Sequence, residues 1–433
     1  MTSPVRFPRV LAAATALVLG ASLAACGSDS GSDDDPNTFH VLVYGDAANK
    51  VEKEVVAEFN KTSKVKAVLD TIPGADYQAK LQTVINTDKA PDVFFNWGGG
   101  SIRPFVEADL LMPLDDMIKK QPKLRTMFVP TVFDAAKVNG KAYGVPMRGT
   151  QPVLLFANEK VLDKAGVKQP ETWDDLLDAV PKLKAAGVTP IAVGGGDQWP
   201  TLMWFEYLYD RIAGPGLLKK ALSGDKEVWA GADSRKALRT LRQLVDTGAF
   251  GRNYDSVKYT DGGTPALLAK GKAGFELMGS WYFSQQQAQA PDFAKSDLSY
   301  TTFPTVPGGK GDPADVVGNT NNYYSVTKNA SHPEAIAKFL ELMYSERFVN
   351  AQLEIGNLPS TTNTRKALSN SENSAYLKFQ YDLVSKAPAF QLSWDQAYTQ
   401  DNTTSMYRAV QQFFNGTLDE DGFIKAMQSL TTD

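Results

Sequence analysis

The chain has 433 residues, a formal net charge of −4, two histidines and a single cysteine. That length is more than one ordinary hydrophobic core fills, so we expect two lobes. The small net charge gives no reason to expect a nucleic acid partner. Because His40 and His332 are the only histidines, a metal site of His and Cys ligands is nearly excluded, and Ser-His-Asp or Cys-His catalysis would need one of these two residues.

The first 25 residues predict a secretory signal peptide. Arg6 and Arg9 precede an apolar run over residues 10–25 that is too short for a membrane span. The run ends in Leu23-Ala24-Ala25-Cys26, which resembles the lipobox of bacterial lipoproteins. The resemblance implies that Cys26 carries a lipid that holds the protein at a membrane, with residues 26–37 as a flexible tether. The alternative is a plain secreted protein with an incidental cysteine.

Short strands and helices alternate after the tether. Apolar runs and helical spacing of apolar residues predict strands at 38–44, 65–69 and 90–95 and helices at 49–60 and 76–86. This alternation is typical of βαβ units in a mostly parallel sheet. Ligands of such sheets bind beyond the carboxyl ends of the strands, where residues 44–46 and 96–101 are expected.

Several later segments carry a family resemblance. They include Pro91-Asp92-Val93 with Trp97, Tyr143-Gly144-Val145-Pro146, Thr172-Trp173-Asp174-Asp175-Leu176, Gly279-Ser280-Trp281 and Gly356-Asn357-Leu358-Pro359. In this order they resemble the family 1 extracellular solute-binding proteins, the sugar-binding lipoproteins of ABC importers, and especially an actinobacterial branch that takes up oligosaccharides. The similar segments are spread over nearly all of the chain after the tether.

The resemblance implies an α/β fold of the type II periplasmic-binding-protein kind, with two lobes, mixed sheets flanked by helices and a hinge between the lobes. By chain order, the first lobe is expected to hold residues 38–148 and 308–360, and the second lobe residues 152–304 and 362–433. The hinge strands are then expected near residues 147–152 and 303–308. Composition and spacing alone predict a single boundary near residue 150.

Four tryptophans are candidates for stacking on a sugar ring. The apolar face of a pyranose matches an indole ring. Trp97 and Trp199 follow predicted strands into glycine-rich or polar loops, and the family places stacking aromatics at positions matching Trp281 and Trp394. The alternative for each is a place in the core, which we expect for the other three tryptophans, Trp173, Trp204 and Trp229.

Polar residues near the same loops are candidates to bind the hydroxyl groups of the sugar. They are Asp46, Asn96, Arg148, Asn319, Asn321, Asp395 and Gln396, with Tyr44 as an edge contact. Arg148 lies beside the expected hinge, and its alternative is a salt bridge between the lobes. The alternative for the run 319–322 is a turn.

The resemblance implies a binding protein that closes around its ligand, and not an enzyme; we expect no catalytic residue, metal or cofactor. The implied ligand is a short β-linked oligosaccharide, xylobiose or a xylo-oligosaccharide first, with chitobiose, cellobiose, another sugar, a peptide or a metal as alternatives. A secreted glycosidase is the remaining alternative. The implied partner is an ABC permease. The protein itself is expected to be a monomer that its lipid anchors at the extracellular face of the cytoplasmic membrane.

Overall fold

The computed structural model describes residues 35–129, 132–133 and 135–431. The predicted signal peptide, Cys26 and most of the tether lie outside the described residues. Within the described part of the chain, no helix combines the length and apolar character that crossing a membrane requires.

Thirteen strands lie within the described residues. They are β1 Thr38–Gly45, β2 Lys66–Pro73, β3 Val93–Asn96, β4 Lys137–Val138, β5 Lys141–Ala142, β6 Val145–Met147, β7 Gln151–Asn158, β8 Thr189–Ala192, β9 Ala273–Gly279, β10 Leu298–Thr301, β11 Val316–Asn319, β12 Asn322–Val326 and β13 Phe390–Leu392.

The α-helices are α1 Asn49–Thr62, α2 Gly74–Val84, α3 Arg103–Glu107, α4 Asp115–Lys120, α5 Lys123–Thr126, α6 Glu159–Ala165, α7 Trp173–Ala185, α8 Trp199–Ala213, α9 Gly216–Leu222, α10 Ala232–Asp246, α11 Gly263–Ala269, α12 Trp281–Gln289, α13 Pro291–Ser296, α14 Pro333–Leu342, α15 Glu346–Glu354, α16 Thr364–Ala367, α17 Ser374–Lys386, α18 Trp394–Ala397, α19 Gln400–Phe414 and α20 Glu420–Gln428. Short 3₁₀ turns lie at Gly99–Ser101, Gly195–Asp197, Lys226–Ala230, Tyr254–Ser256 and Leu368–Asn370.

The first lobe is built on a mixed sheet with the strand order β2-β1-β3-β12-β6. Strands β1, β2 and β3 are parallel, as the sequence predicts, and β12 runs antiparallel to both β3 and β6. Phe39, Val41 and Val43 on β1 are fully buried, because helices such as α1 and α14 contribute apolar side chains to the same core.

The second lobe is built on a mixed sheet with the strand order β13-β11-β7-β9-β8, and β10 pairs with a further part of β7. All eight residues of β7 are buried. The start of α7 follows its sequence: the Thr172 hydroxyl accepts a hydrogen bond from the Asp175 amide (3.2 Å), and the Asp175 carboxylate accepts one from the Thr172 amide (2.9 Å).

The expected position of the second crossing between the lobes is wrong. Residues 308–319 were expected in the first lobe, but β11 pairs with β7 through Gly318 and Pro152 and with β13 through Val316 and Phe390. The loop before β11 also bonds to the second lobe, since the amide of Gly311 donates to the Arg211 carbonyl. The chain therefore passes from the second sheet to the first between β11 and β12, and not near residues 303–308. The earlier crossing joins β6 to β7.

Two sheets of mixed direction, each flanked by helices and each with its own apolar core, make this a two-lobe α/β fold. The predicted fold class is confirmed. The carboxyl ends of β1 and β3 in the first lobe and the end of β9 in the second lobe lead into segments that line a cavity between the lobes.

Candidate functional site

A cavity of about 490 Å³ lies between residues of the two lobes. Nine of the twelve residues predicted to bind a ligand line it: Tyr44, Asp46, Trp97, Arg148, Trp199, Trp281, Asn319, Asp395 and Gln396. The other three, Asn96, Asn321 and Trp394, do not. We call this cavity the cleft.

The first lobe contributes an aromatic wall to the cleft. The Trp97 indole makes an edge-to-face contact with Phe95 (4.9 Å between ring centroids) and another with Tyr44 (5.8 Å). The Tyr44 ring in turn contacts Tyr77 and lies close to Gly74. These contacts fix the orientation of the Trp97 ring, which remains partly exposed to the cleft.

Arg148 anchors the polar side of the same wall. Its Nε donates to Glu52 Oε1 (2.7 Å), its Nη1 to Asp46 Oδ2 (2.7 Å) and its Nη2 to the Tyr44 carbonyl (2.8 Å). The guanidinium also lies 4.9 Å from the centroid of the Phe95 ring. All of these partners belong to the first lobe, so the alternative of a salt bridge between the lobes is wrong for Arg148.

The ion pair with Arg148 holds the Asp46 carboxylate in place at the cleft. Asp46 Oδ1 accepts from the Ala48 amide (2.9 Å), while Oδ2 accepts from Arg148. Burial raises the pKa of Asp46, and the positive charge of Arg148 opposes this increase. Arg148 itself is 3% exposed and has φ of +58°, a strained backbone conformation for a residue with a side chain. A strained arginine held by two carboxylates is therefore a rigid support for Asp46.

The second lobe contributes a second aromatic wall. Trp281 begins α12, separated from the end of β9 by one residue, and its indole lies 6.2 Å from the ring of Trp199. Trp199 begins α8 and contacts Tyr259 edge to face (5.4 Å). Both indoles are partly exposed and line the cleft. Each lobe therefore presents at least one indole surface to the same cavity.

Two acids, the buried Glu206 and the half-buried Asp395, lie on the second lobe's side of the cleft. Glu206 Oε1 accepts from the Trp394 amide (2.6 Å), and Oε2 has no hydrogen-bond partner among the described residues. Asp395 Oδ2 accepts from the Tyr407 hydroxyl (2.7 Å). Burial raises the pKa of Glu206 well above its usual value, and the nearby Asp395 charge raises it further. The pKa of Asp395 is raised as well, mainly by burial.

Amide side chains complete this side of the cleft. Gln396 Nε2 donates to Asn319 Oδ1, and Asn319 Nδ2 donates to Gln151 Oε1 (3.3 Å). The three amides come from α18, β11 and β7 and all line the cleft. Asp197, also in the lining, accepts hydrogen bonds from the amide and hydroxyl of Thr260. The cleft thus combines partly exposed indoles with fixed carboxylates and amides.

Trp394 is not placed to stack on a ligand. It is 0% exposed and packs edge to face against Tyr209 (5.2 Å) and Trp229 (5.2 Å) in the core of the second lobe. Its backbone amide, not its ring, reaches the site by donating to Glu206. The prediction of a stacking role for this ring is therefore wrong.

Asn96 and Asn321 use their side chains within the protein. Asn96 Nδ2 donates to Ser325 Oγ (2.8 Å), and its Oδ1 accepts from the Gly98 amide (2.9 Å). Asn321 is fully buried between β11 and β12 and donates to Ser360 Oγ. Neither lines the cleft: Asn96 uses its side chain within the protein at the end of β3, and Asn321 does so in the connection between β11 and β12. Asn96 also borders a smaller neighbouring cavity.

The sequence prediction missed the other residues that line the cleft, among them the four polar residues Gln151, Asp197, Glu206 and Tyr407. One of them had a signal in the sequence. Glu206 interrupts the apolar stretch Met203–Tyr209, and burying an acid in such a segment costs free energy unless the acid has a partner. The other three lie in ordinary polar surroundings. Among the described residues there is no group of three or more His, Cys, Asp or Glu side chains that could hold a metal ion.

Known proteins resemble this chain in sequence and in fold. An uncharacterized ABC transporter extracellular-binding protein of Pyrococcus horikoshii is 27% identical over 277 residues, which cover 62% of this chain and 58% of that protein. The match thus spans less than two thirds of that relative. The diacetylchitobiose binding protein DasA of Streptomyces coelicolor is 25% identical over 342 residues, 76% of each chain.

A solved structure from work on xylan utilization by the thermophilic bacterium Caldanaerobius polysaccharolyticus superposes with a TM-score of 0.82 at 27% identity, over 90% of this chain and 99% of that one. Residues 45–348, more than half of the chain, match the family model described as bacterial extracellular solute-binding protein. The members of that family are binding proteins and not enzymes, which argues against the glycosidase alternative. This chain belongs to the bacterial extracellular solute-binding proteins.

Proposed function

We propose that this chain is the substrate-binding component of an ABC sugar importer and that the cleft takes a short β-linked oligosaccharide. Xylobiose or a short xylo-oligosaccharide is the first candidate, and chitobiose is the second. The observation that carries the proposal is the arrangement of indoles: Trp97 comes from one lobe and Trp199 and Trp281 from the other, and all three line one cavity.

The chemistry of the cleft fits a neutral, hydroxyl-rich ligand. Indole rings pack on the C–H faces of pyranoses, and the surrounding acceptors satisfy the hydroxyl groups. Asp46 is held by Arg148, and Glu206 Oε2 accepts no hydrogen bond from the described protein. The raised pKa of Glu206 favours its protonated form, in which Oε2 donates a hydrogen bond. A ligand hydroxyl that pairs with this buried oxygen removes the cost of leaving it without a partner, so the acid favours sugars with a hydroxyl at a matching position.

The choice among sugars rests on two relatives. The structure from the xylan study and the chitobiose-binding protein of Streptomyces coelicolor share 27% and 25% identity with this chain. Xylose rings lack the bulky substituents of chitobiose, and aromatic rings from both lobes suit a flat chain of at least two rings. A peptide is a weaker candidate because Arg148, the buried cation of the lining, already bonds to Glu52 and Asp46. Lys258, the other basic residue of the lining, is exposed to solvent, so it offers a weaker grip on a carboxylate.

The family resemblance also supports a place for the protein in the cell. We infer that the lipid on Cys26 tethers a monomer to the extracellular face of the cytoplasmic membrane, where the closed, ligand-bound form meets the permease. The test is metabolic labelling with a tagged fatty acid in the native host. Label on the wild type and none on Cys26→Ser is the expected result, and an unlabelled wild type contradicts the anchor.

Calorimetric titration tests the ligand class. The full-length protein, purified in a detergent without a sugar head group, is titrated with xylobiose, chitobiose, cellobiose and maltose. We expect micromolar or tighter binding of one β-linked disaccharide, weakened by about tenfold or more in Trp281→Ala. The matched control is Trp173→Phe, because this buried ring packs against Trp204 and Phe303 in the core of the second lobe and does not line the cleft. A folded protein that binds no member of the panel overturns the proposal.

A further inference from the structure

A second cavity, of about 340 Å³, opens beside the cleft. It lies between α2 and α3 of the first lobe and the start of α19 of the second lobe. The two cavities share four lining residues: Gln78, Trp97, Ser101 and Gln400. Because Trp97 borders both, the cavities adjoin each other at this indole. We call the second cavity the side pocket.

The lining of the side pocket suits an uncharged, hydroxylated group. Leu81 on α2 and Ile85 just after this helix are almost fully buried and provide an apolar floor. Gln82 on α2 and Asn86 in the turn that follows are exposed and provide amide donors and acceptors at the rim. Asp401 is the only ionisable residue in the lining, so the pocket offers no cation to an acidic ligand. The side pocket therefore resembles the cleft, because both combine apolar surface with polar side chains that can bind hydroxyl groups.

We propose that the side pocket is an additional sugar subsite and that the ligand runs from the cleft past Trp97 into it. The protein then selects a trisaccharide or a longer chain over a disaccharide. This inference rests on the proposed function, because it concerns the same ligand. Trp97 stacks on the ring that lies at the junction, and the next ring packs on Leu81 and Ile85 with its hydroxyls bonded to the side-chain amides of Gln82 and Asn86.

The proposed subsite makes the binding affinity depend on the length of the oligosaccharide. Each further sugar ring that enters a matching subsite adds binding free energy, whereas a ring that projects into solvent adds none. Affinity is therefore expected to rise by about tenfold or more from the disaccharide to the tri- or tetrasaccharide. A cleft that ends at Trp97 predicts equal affinity for all these lengths.

Two tryptophan substitutions on α2 separate the side pocket from the cleft. Gln82→Trp places an indole at the rim of the side pocket, and Thr83→Trp places one on the adjacent exposed position, which does not line either cavity. Both residues are exposed, so neither change disturbs the core. Gln82 does not line the cleft, and a disaccharide confined to the cleft does not meet it.

The experiment is calorimetric titration of the full-length wild type and both variants with xylobiose, xylotriose and xylotetraose, and with the matching chitin series. We expect Gln82→Trp to bring the affinity for the longer chains down to that for the disaccharide, while the disaccharide affinity changes by less than about twofold. Thr83→Trp is expected to keep the wild-type affinities throughout.

Three results overturn the inference. The first is equal affinity of the wild type for di-, tri- and tetrasaccharides. The second is an affinity that still rises with chain length in Gln82→Trp. Neither of these two results contradicts the proposed function if the disaccharide binds. The third is the absence of binding for every sugar by a protein that still unfolds cooperatively, which overturns the proposed function and this inference together.

Discussion

The indole of Trp281 lies directly against the backbone of Gly279. A Cβ atom at position 279 would lie 2.0 Å from Cζ3 and 2.1 Å from Cη2 of that ring. Gly279 ends β9, so the strand itself forms the surface on which the ring rests. The orientation of Trp281 in the cleft therefore depends on the absence of a side chain two residues before it.

Gly279→Ala is expected to displace the Trp281 ring and to weaken sugar binding about as much as Trp281→Ala does. The added methyl group cannot coexist with the observed ring position, because real contacts of this kind are never so short. Titration with the sugar that the wild type binds gives the measurement. Gly216→Ala is the matched control, since a Cβ there meets nothing within 4 Å. Wild-type affinity in Gly279→Ala would contradict the role of this support.

Arg148→Met is expected to destabilise the protein. The substitution leaves the buried Glu52 and the partly buried Asp46 without their cation, and breaking a buried ion pair in this way costs about 3 kcal/mol or more. The free energy of unfolding is measured by urea denaturation. If Arg148 instead acts only on the ligand, unfolding is unchanged while sugar affinity falls, so the two measurements together distinguish support from direct binding.

The stability of the protein is expected to fall as the pH rises toward 8. Burial raises the pKa of Glu276 to about 8, and the bond from the Thr264 hydroxyl to Oε1 (2.5 Å) opposes this only in part. An unfolded chain releases this proton near the ordinary pKa of a glutamate, about 4.3. Between these two values the folded state holds a proton that the unfolded state has lost, so rising pH favours unfolding.

The Glu276→Gln variant tests this origin of the pH dependence. Glutamine keeps an oxygen for Thr264 and has no proton to lose, so the decrease in unfolding free energy between about pH 5 and 8 is expected to become smaller. Urea denaturation at several pH values measures it. Thr264 and Glu276 lie outside the lining of the cleft, so sugar binding at a fixed pH is expected to stay unchanged. An identical pH profile in wild type and variant would show that Glu276 is not responsible.

The sequence predicts the parts of this site that follow from strand order. Parallel β1 and β3 end at the same edge of their sheet, so Tyr44, Asp46 and Trp97 could be brought to one place from spacing alone. Burial is harder to predict. Trp281 and Trp394 both follow polar or small residues, yet Trp281 rests on a glycine beside the cleft and Trp394 fills the space between Tyr209 and Trp229.

The local sequence pattern also does not predict which distant strands pair with each other. Strand β11 has only four residues, and its sequence is compatible with a place in either sheet. In the structure it lies between β7 and β13 and pairs with both, although these two strands are far from each other in the chain. The same limit applies to Arg148, because its partners Asp46 and Glu52 lie about a hundred residues earlier.

The two lobes approach each other closely at Gly100. A Cβ atom there would lie 2.3 Å from the carbonyl oxygen of Tyr398, and one at Gly99 would lie 2.6 Å from that of Gln396. Glycines of the first lobe thus allow the backbone of α18 and the residue after it to approach closely. This run lacks the spacing of a phosphate loop, and close approach of the two lobes is the physical reason for its composition.

Gly100→Ala is expected to hold the lobes apart and to weaken sugar binding by about tenfold or more, because a ligand bound between two walls loses contacts when the walls separate. Each lobe keeps its own core, so the free energy of unfolding is expected to change little. Titration and small-angle scattering with saturating sugar give the measurements, with Gly216→Ala as the control. A variant that binds as tightly and becomes as compact as the wild type would show that the contact at Gly100 does not limit closure.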